Sequence, residues 1–330
     1  MKKRIIYMLI SLIIIVICLV TYTKFHKEEN DNLTKIRVAE VTHSAFYAPL
    51  YIALENGYFK DAGLDVELIL TSGADKVSAA VLSNDVEIGF AGAESAIYIY
   101  NGKEKDYLQI FSGLTKRDGQ FIVSRKENKD FELKDLVGKE VLVGRKGGMP
   151  ALNFLNALKK ADINPKDIKL NYSVEFAALS GSFIGGVGDF VNLFEPNATL
   201  LENEEFGYTV ASIGLLSDEV PYTAFYARKS YITKNEDIIK KFTDAINRAL
   251  EYTEKNSSEI IAKNILDQFP DTSLNDLTTI VNRYKEADSW LSTPFVSEVS
   301  FKNLEDIMLD NKLIQDYVPY KDLVNNFYNE

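Results

Sequence analysis

The chain has 330 residues, of which 46% are hydrophobic, and a formal net charge of -11. This length can bury a large core, and we expect it to divide into two lobes. The acidic balance argues against a nucleic acid partner, because phosphate binding requires concentrated Lys and Arg. With one Cys and two His in the whole sequence, there is no basis for a zinc or haem cluster or an intramolecular disulfide. We therefore expect no cofactor.

The first 24 residues differ in composition from the rest of the chain. Three basic residues precede a largely apolar run over residues 5–20, which is the pattern of a signal peptide or an uncleaved signal anchor. Cys18 leaves a lipoprotein signal open, although the bulky Ile17 before it does not fit a lipidation site. A secreted protein without an anchor is the remaining alternative. We expect residues 1–24 to hold the chain at the cell membrane, residues 25–34 to form a polar tether, and the body to lie outside the cytoplasm.

Residues 35–70 predict the first structural unit, a strand, a helix and a second strand. Apolar residues alternate on either side of a helical spacing, Pro49 suits the first helical turn, and Gly57 suits a left-handed helix end. Two parallel strands need a crossover of about this length. The loop after the first strand lies where open α/β sheets bind ligands. Its candidate ligand contacts are Thr42, His43, Phe46 and Tyr47.

The stretch YAPLYIALENGYFKDAGLDVELI, at 47–69, resembles the opening signature of a known family. This is the thiamine-precursor (NMT1/THI5-like) family of type II solute-binding proteins of ABC importers, relatives of the sulfonate and nitrate binders. The resemblance continues at residues 73–76, 80–95, 113–119, 143–150 and 188–198. It implies a type II periplasmic-binding-protein fold, in which two doubly wound α/β lobes are joined by two hinge crossings. It also implies a small-molecule ligand, permease and ATPase partners, and a monomeric chain.

A second unit follows, in which an alternating strand around Ile88 leads into the segment Gly92-Ala93-Glu94-Ser95 and a helix. Small residues at a helix start let a ligand approach the backbone amides that have no partner in the helix. A tight turn capped by Ser95 or Glu94 is the alternative, and the resemblance favours ligand contact. Gly92, Glu94 and Ser95 are therefore candidate site residues.

The composition becomes charged after residue 125, so we expect the first crossing near residues 124–128. This gives a first lobe over 35–125 and a second lobe over 126–221. Within the second lobe, a strand ends at Gly144 and Arg145-Lys146-Gly147-Gly148-Met149-Pro150 opens a helix. Backbone N–H groups and a positive helix end would suit an anionic group here, although no Gly-Lys-Ser or Gly-Lys-Thr completes a P-loop. The candidates are Arg145, Gly147 and Gly148, with a merely solvated Arg145 as the alternative.

Two further candidates lie at predicted chain reversals. Glu195 follows a continuous apolar strand and precedes Pro196, so it either points into the cleft or caps the helix over 197–204; the resemblance favours ligand contact. Tyr222 begins the second crossing, expected at 222–228, and residues 222–330 return to the first lobe with C-terminal helices from Glu236. Trp290 is expected in the core. The aromatic residues near the predicted cleft suit a flat heterocycle, and they are Phe46, Tyr47, Phe121, Tyr222 and Phe225.

Two lobes joined by two crossings form a clamp that closes on a ligand. The resemblance implies the substrate-binding component of an ABC importer, with a thiamine pyrimidine precursor or similar heterocycle as the expected solute. Sulfonate, nitrate or riboflavin binding is the alternative. Eukaryotic relatives are biosynthetic enzymes that use a lysine-bound pyridoxal phosphate and a cysteine-rich segment. No Cys follows Cys18 here, and the two histidines are His26 and His43. No nucleophile set is complete, so we expect a protein that is not an enzyme.

Overall fold

The computed structural model describes residues 33–328. Its strands are β1 (Thr34–Glu40), β2 (Leu64–Leu70), β3 (Ile88–Gly92), β4 (Leu108–Thr115), β5 (Phe121–Ser124), β6 (Glu140–Leu142), β7 (Lys169–Asn171), β8 (Phe190–Leu193), β9 (Tyr208–Ser212) and β10 (Thr223–Arg228). They form two five-stranded sheets, ordered β2-β1-β3-β10-β4 and β7-β6-β8-β5-β9. This is the predicted arrangement of two α/β lobes, one sheet in each.

Helices connect the strands within each lobe and continue after the last strand. They are α1 (Ala48–Glu55), α2 (Tyr58–Asp61), α3 (Ala74–Leu82), α4 (Glu94–Asn101), α5 (Met149–Lys160), α6 (Leu179–Ile184), α7 (Asn197–Asn203), α8 (Ile213–Leu216), α9 (Lys229–Lys234), α10 (Glu236–Lys255), α11 (Ser258–Ile265), α12 (Leu274–Glu286), α13 (Glu298–Asp310) and α14 (Tyr320–Leu323). Short 3-10 turns lie at Ala45–Tyr47, Leu133–Leu136, Pro165–Asp167, Phe176–Ala178 and Leu266–Gln268.

The predicted first unit is confirmed. β1 runs parallel to β2, with Ile36 opposite Val66, and also parallel to β3. Pro49 lies in the first turn of α1, and Gly57 adopts a left-handed φ of 70° just after the helix. Because all three strands are parallel, their carboxyl ends meet at one edge of the sheet. Thr34 is already part of β1, so the predicted tether over 25–34 is at least one residue too long.

The first crossing lies earlier than predicted. β5 pairs antiparallel with β8 and β9 in the second sheet, so residues 121–124 belong to the second lobe and the crossing is the segment 116–120. The charged run that follows β5 is a largely exposed loop of the second lobe rather than a hinge. The second crossing is the segment 217–222 and also lies earlier than the predicted 222–228, because Thr223–Arg228 forms β10. From there β10 enters the first sheet antiparallel, between β3 and β4.

The C-terminal helices pack on the first lobe, as predicted, with α10 and α11 both contacting α1. Trp290 is 9% exposed, and its indole N–H donates to the carbonyl of Phe46 at 2.7 Å. The tail also reaches the second lobe, because α13 packs on α5 and Lys159 forms an ion pair with Asp310. Helices after the second crossing therefore contact both halves of the clamp.

The predicted membrane segment, residues 1–24 with Cys18, lies outside the described residues. Between residues 33 and 328, no helix combines the length and the apolar character needed to cross a bilayer.

Candidate functional site

A pocket of about 620 Å³ lies between the two lobes. It is bounded by chain segments that follow strands of both sheets, by the 3-10 turn Phe176–Ala178 of the second lobe and by Tyr222 at the end of the second crossing. The lining residues are Val41, Thr42, Tyr47, Ser72, Gly73, Ala74, Asp75, Lys76, Gly92, Glu94, Arg145, Gly148, Met149, Pro150, Glu175, Phe176, Ala177, Phe194, Tyr222 and Thr223.

The strand ends explain why these residues converge. Thr42 follows β1, residues 72–76 follow β2 and begin α3, and Glu94 follows β3. From the second lobe, Arg145 and the first turn of α5 follow β6. Carboxyl ends of parallel strands lie at one edge of a sheet, and the pocket is the space where the two edges face each other.

The pocket brings together many of the residues predicted to contact a ligand. Its lining includes Thr42, Tyr47, Gly92, Glu94, Arg145, Gly148 and Tyr222. It does not include His43, Phe46, Ser95, Gly147 or Glu195. Ligand contact by the first group remains a prediction, while all of the second group except Ser95 lie outside the lining for reasons visible in their surroundings. Ser95 is a buried residue in the first turn of α4.

The buried part of the wall is aromatic. Tyr47, Tyr222 and Phe194 are all buried side chains that line the pocket. Phe46 lies behind them, with ring centroids 5.4 Å from Tyr47 and 5.7 Å from Tyr222. It therefore supports the two tyrosines instead of facing the cavity.

Two other aromatics proposed for the cleft belong to the cores. The Phe225 ring stacks on Phe90 at 4.2 Å within the first sheet, and Phe121 packs against Tyr284 at 5.7 Å. Neither lines the pocket. Both sit in strands at positions where the alternation of side chains directs them into the packed interior.

Glu195 takes the capping role that was the alternative in the sequence. Its carboxylate is buried and accepts hydrogen bonds from the Thr199 backbone N–H at 2.8 Å and from Arg283 at 2.7 Å. Burial raises the pKa of Glu195, although the Arg283 charge acts in the opposite direction. Arg283 belongs to α12, so this carboxylate ties the second lobe to the C-terminal helices and not to the pocket.

His43 is directed away from the pocket. Its Nε2 lies 2.9 Å from the carbonyl oxygen of Gln268, which can only accept, so Nε2 carries a proton. Its Nδ1 lies 2.9 Å from Glu40 Oε1, and the Tyr51 hydroxyl donates to the other oxygen of that carboxylate. The hydrogen bond with Glu40 raises the pKa of His43, against the effect of burial. The imidazole therefore joins the loop after β1 to the C-terminal helices.

Gly147 and Ser44 belong to direct contacts between the lobes. The Tyr98 hydroxyl of α4 donates to the Gly147 carbonyl at 2.9 Å, and the Ser44 hydroxyl donates to the Glu195 carbonyl at 2.7 Å. Both bonds run from the first lobe to the second. The two lobes therefore contact each other directly at both positions.

Glu94 is the buried charged residue of the pocket. Its side chain is 2% exposed, and Oε2 has no hydrogen-bond partner within the part of the chain that the structure describes. Burial raises the pKa of Glu94 to about 7, while the Arg145 charge and backbone N–H groups, including that of Met149, lower it. A carboxyl group in this state can exist in either form near neutral pH and can accept a hydrogen bond from a ligand.

Tyr222 links the pocket to the first crossing. Burial raises its pKa well above the ordinary value, and the nearby Asp118 charge raises it further. Asp118 is buried in the crossing and accepts a hydrogen bond from the Gln120 backbone N–H at 2.7 Å. The tyrosine therefore stays protonated. Its side chain lies beside Asp118 of the first crossing, one of the two segments about which the lobes would turn.

Several lining residues were missed from the sequence, notably Lys76, Met149, Glu175, Phe176 and Phe194. Phe194 ends a continuous apolar run, in which periodicity does not separate the residue that faces a cavity from those in the core. Phe176 follows a break in the strand pattern and is 39% exposed. Their position in the chain could have identified these residues, because most of them directly follow a strand or lie in the first turn of a helix.

No group of three or more His, Cys, Asp or Glu side chains over residues 33–328 is placed to hold a metal ion. The pocket thus offers a carboxyl group, hydroxyl groups, aromatic faces and an arginine at its mouth. This chemistry suits non-covalent recognition of a small molecule.

Comparisons with known proteins agree with this description. A family model described as "NMT1/THI5 like" matches residues 45–260. A Bacillus subtilis (strain 168) protein named "Putative binding protein YtlA" is 42% identical over 299 residues, covering 90% of each chain. A 4-amino-5-hydroxymethyl-2-methylpyrimidine phosphate synthase from Candida albicans (strain WO-1) is 24% identical over 253 residues, covering 71% of this chain and 70% of that one.

Solved structures share the architecture at low sequence identity. The alkanesulfonate-binding protein SsuA from Xanthomonas axonopodis pv. citri, bound to MOPS, superimposes with a TM-score of 0.70 at 15% identity. The alignment covers 88% of this chain and 98% of that one. At this identity the likeness establishes the fold, which is the periplasmic binding protein fold.

Proposed function

Because the chain belongs to the NMT1/THI5-like family, we propose that it is the substrate-binding component of an ABC importer. It closes two lobes on a small solute and delivers that solute to a permease without changing it. The observation that carries this proposal is the pocket of about 620 Å³ between the lobes, a volume within the usual range for small-molecule sites. The hydrogen bonds between the lobes, from Tyr98 to Gly147 and from Ser44 to Glu195, would stabilise a closed state of the clamp.

The pocket has to supply both apolar and polar contacts. Micromolar affinity requires about 8 kcal/mol, whereas a stacked aromatic pair contributes about 0.5 to 1.5 kcal/mol beyond its burial. Tyr47 and Tyr222 therefore account for only part of the affinity. Hydrogen bonds with groups such as the Glu94 carboxyl group, as acceptor, and the backbone N–H groups at the start of α5, as donors, have to orient the solute.

The solute proposed first is a thiamine pyrimidine precursor or a similar flat heterocycle. The buried aromatic wall and the buried carboxyl group of Glu94 support it. A sulfonate, nitrate or riboflavin is the alternative, supported by Arg145 at the mouth of the pocket and by the fold shared with the alkanesulfonate-binding protein.

The cellular setting is also a proposal, and it rests on the sequence. Residues 1–24 would anchor the chain at the cell membrane, with the body on the extracytoplasmic side and a permease and an ATPase as partners. Lipidation at Cys18 is the second way in which this segment could provide the anchor. A monomer is sufficient for the mechanism, because both walls of the pocket come from one chain.

An enzymatic role is the second candidate, favoured by the likeness to the Candida albicans synthase. The part of the chain that the structure describes contains no cysteine, and its histidine, His43, is engaged by Glu40 and Gln268 outside the pocket. The pocket lining of the described residues therefore offers neither a cysteine nucleophile nor a histidine base. Turnover of the bound solute separates the two candidates.

Calorimetric titration of purified residues 30–330 with pyrimidines, sulfonates, nitrate and riboflavin tests the proposal. We expect one solute class to bind with one-to-one stoichiometry and to reduce the radius of gyration in X-ray scattering. Tyr47→Ala is expected to weaken that binding at least tenfold, since the ring forms part of the wall. Binding without compaction, or chemical conversion of the solute, would count against the proposal.

A further inference from the structure

Asp118 is a buried acidic residue in the first crossing, the segment 116–120 that joins β4 to β5. Its side chain is 1% exposed. Oδ1 accepts a hydrogen bond from the Gln120 backbone N–H at 2.7 Å, whereas Oδ2 has no hydrogen-bond partner among residues 33–328. Burial raises the pKa of Asp118 well above its ordinary value, although the Gln120 N–H and the Tyr222 hydroxyl act in the opposite direction. Ionising this carboxyl group is therefore costly.

The basic neighbours of Asp118 in the sequence do not neutralise it. Lys116 pairs with Asp288 of the C-terminal tail, and Arg117 pairs with Asp288 and with Glu219 of the second crossing. Both cations are thus engaged by carboxylates other than that of Asp118, which forms no ion pair in the part of the chain that the structure describes. A proton is the remaining means of removing its charge.

Two tyrosines face Asp118 from other elements. They are Tyr222, at the end of the second crossing, and Tyr47, in the turn after β1, and the Asp118 charge raises the pKa of both, in each case by less than burial does. Tyr222 Oη and Asp118 Oδ2 are both buried without a hydrogen-bond partner within the described residues. The two groups belong to different crossings, so their separation depends on how the crossings are placed.

Both lobes press on the first crossing at this point. A Cβ atom on Gly214, in α8 of the second lobe, would lie 2.3 Å from the Asp118 carbonyl oxygen. A Cβ atom on Gly119 would lie 2.5 Å from the Phe46 ring of the first lobe. Packing this close leaves no room for water beside the crossing while the lobes are in contact. A rotation of one lobe about the crossings has to loosen it.

Separation of the lobes changes the surroundings of the Asp118 carboxyl group. Tyr222 lines the pocket between the lobes, so a wider pocket admits water to the group that lies beside Tyr222. Hydration lowers the cost of ionising Asp118, and its pKa falls towards the ordinary value of about 3.9. The carboxyl group therefore binds a proton more tightly when the lobes are closed than when they are open.

The sign of the pH dependence follows from this difference. Because the pKa is higher in the closed arrangement, proton uptake favours closure. The contribution is fully present below about pH 3.9, the ordinary value, and it is lost as the pH rises through the raised pKa of the buried group. Acid conditions are thus expected to shift the lobes towards the closed arrangement.

We propose that closure of the clamp is coupled to protonation of Asp118 in the first crossing, and that the Tyr222 hydroxyl of the second crossing sets the pH at which this occurs. The inference rests on the proposed function, since the clamp is the same. It concerns regulation at the crossings and not the choice of solute. Asp118 is a positioning residue, because it acts through the angle between the lobes.

Fluorescence transfer between labels at Lys105→Cys and Lys166→Cys, one in each lobe, tests the coupling. The closed-to-open ratio is measured without solute on residues 30–330, which contain both complete lobes. We expect this ratio to rise about fivefold as the pH is lowered from 8 to 5, which corresponds to a pKa difference of just under one unit between the two arrangements. A ratio that is constant over this range, or that falls in acid, would overturn the inference.

Asp118→Asn keeps the shape of the side chain and removes the titration. Its closed-to-open ratio at pH 8 is expected to match the value that the wild type reaches in acid, and to change little with pH. Glu94, with a pKa of about 7, titrates between the lobes in both proteins, so the difference between them isolates Asp118. Asp130→Asn, in an exposed loop of the second lobe, loses the same charge and should respond as the wild type does. An Asp118→Asn protein with the full wild-type response contradicts the coupling.

Tyr222→Phe gives a second test, which remains available if Asp118→Asn does not fold. The hydroxyl lowers the pKa of Asp118, so its removal is expected to move the midpoint of the pH response to higher pH. A merely structural role of Tyr222 would alter the closed fraction without moving this midpoint. An unchanged midpoint, or one that moves to lower pH, would show that the two crossings are not linked through this pair.

Failure of this inference is distinguishable from failure of the proposed function. If the distance between the labels ignores pH but shortens when a pyrimidine, sulfonate, nitrate or riboflavin is added, Asp118 does not control closure and the protein remains a binding protein. If none of these solutes shortens the distance at any pH, the clamp of the proposed function is itself contradicted.

Discussion

Gly92 and Glu94 occupy one slot, since a Cβ atom at position 92 would stand 2.0 Å from Glu94 Oε2. The glycine therefore allows the carboxylate to lie between the lobes. Gly92→Ala is expected to displace this group, to separate the lobes slightly and to weaken binding of the solute at least tenfold. Calorimetry measures the loss.

A matched control is Gly181→Ala in α6, where the added methyl meets nothing within 4 Å and φ is not positive. This change should leave affinity intact and leave stability the same or slightly higher. Similar losses of affinity in both alanine variants would show that the effect of Gly92→Ala is not local to the pocket.

The Glu195 and Arg283 side chains hold α7 against α12. Glu195→Ala removes the buried carboxylate that accepts from Thr199 and Arg283, so the free energy of unfolding is expected to fall by about 2 to 3 kcal/mol. Urea unfolding measures this change. Affinity of the folded variant for the solute should change less than twofold, since Glu195 does not line the pocket. A stable variant that binds tenfold more weakly would place Glu195 in ligand recognition instead.

The contact of His43 with Glu40 and Gln268 predicts a pH-dependent contribution to stability. Because the folded pKa is raised above the unfolded value, the protonated imidazole stabilises the fold fully below about pH 6.5, the unfolded pKa. That contribution is lost as the pH rises through the folded pKa. The difference in unfolding free energy between wild type and His43→Gln should therefore be largest in acid and shrink towards alkaline pH. A constant difference from pH 5 to 9 would contradict this arrangement.

The bond between Tyr98 and the Gly147 carbonyl is expected to favour the closed clamp. Tyr98→Phe removes one neutral hydrogen bond, which is worth about 1 kcal/mol, so the closed fraction relative to the open one should fall about fivefold. Residues 30–330 contain no cysteine, and a pair of labels at Lys105→Cys and Lys166→Cys can report the distance between the lobes by fluorescence transfer. Tyr317→Phe, on an exposed tyrosine remote from the pocket, is the control. An unchanged distance distribution in Tyr98→Phe would show that this bond does not influence closure.

Periodicity predicts most of the individual elements, and the family resemblance together with the strand ends predicts the two lobes and the edges at which the pocket lies. The alternation around Ile36 and the glycine at position 57 describe a local unit, and the loops after β1, β3 and β6 contribute to the pocket as expected. The first crossing was placed too late because β5 is a buried strand like its neighbours. Its membership of one sheet or the other depends on pairing with β8, which lies far along the chain.

The predicted role of Glu195 shows a second limit. A carboxylate at a strand end is equally suited to a ligand and to a helix start, and the choice depends on Arg283, which is 88 residues away in sequence. Similarly, the burial of Glu94 depends on Met149 from the opposite lobe. Contacts of this kind require the folded arrangement of both lobes.

Native mass spectrometry of residues 30–330 isolated with bound solute tests the central claim most directly. The protein is incubated with the solute identified by calorimetry before the measurement. The account predicts that one molecule is bound per chain and that denaturation releases it with the mass of the molecule supplied. Tyr47→Ala is predicted to lose the bound molecule under the same conditions. Release of a molecule of different mass, or equal retention by Tyr47→Ala, would contradict a clamp that holds its solute unchanged in the pocket between the lobes.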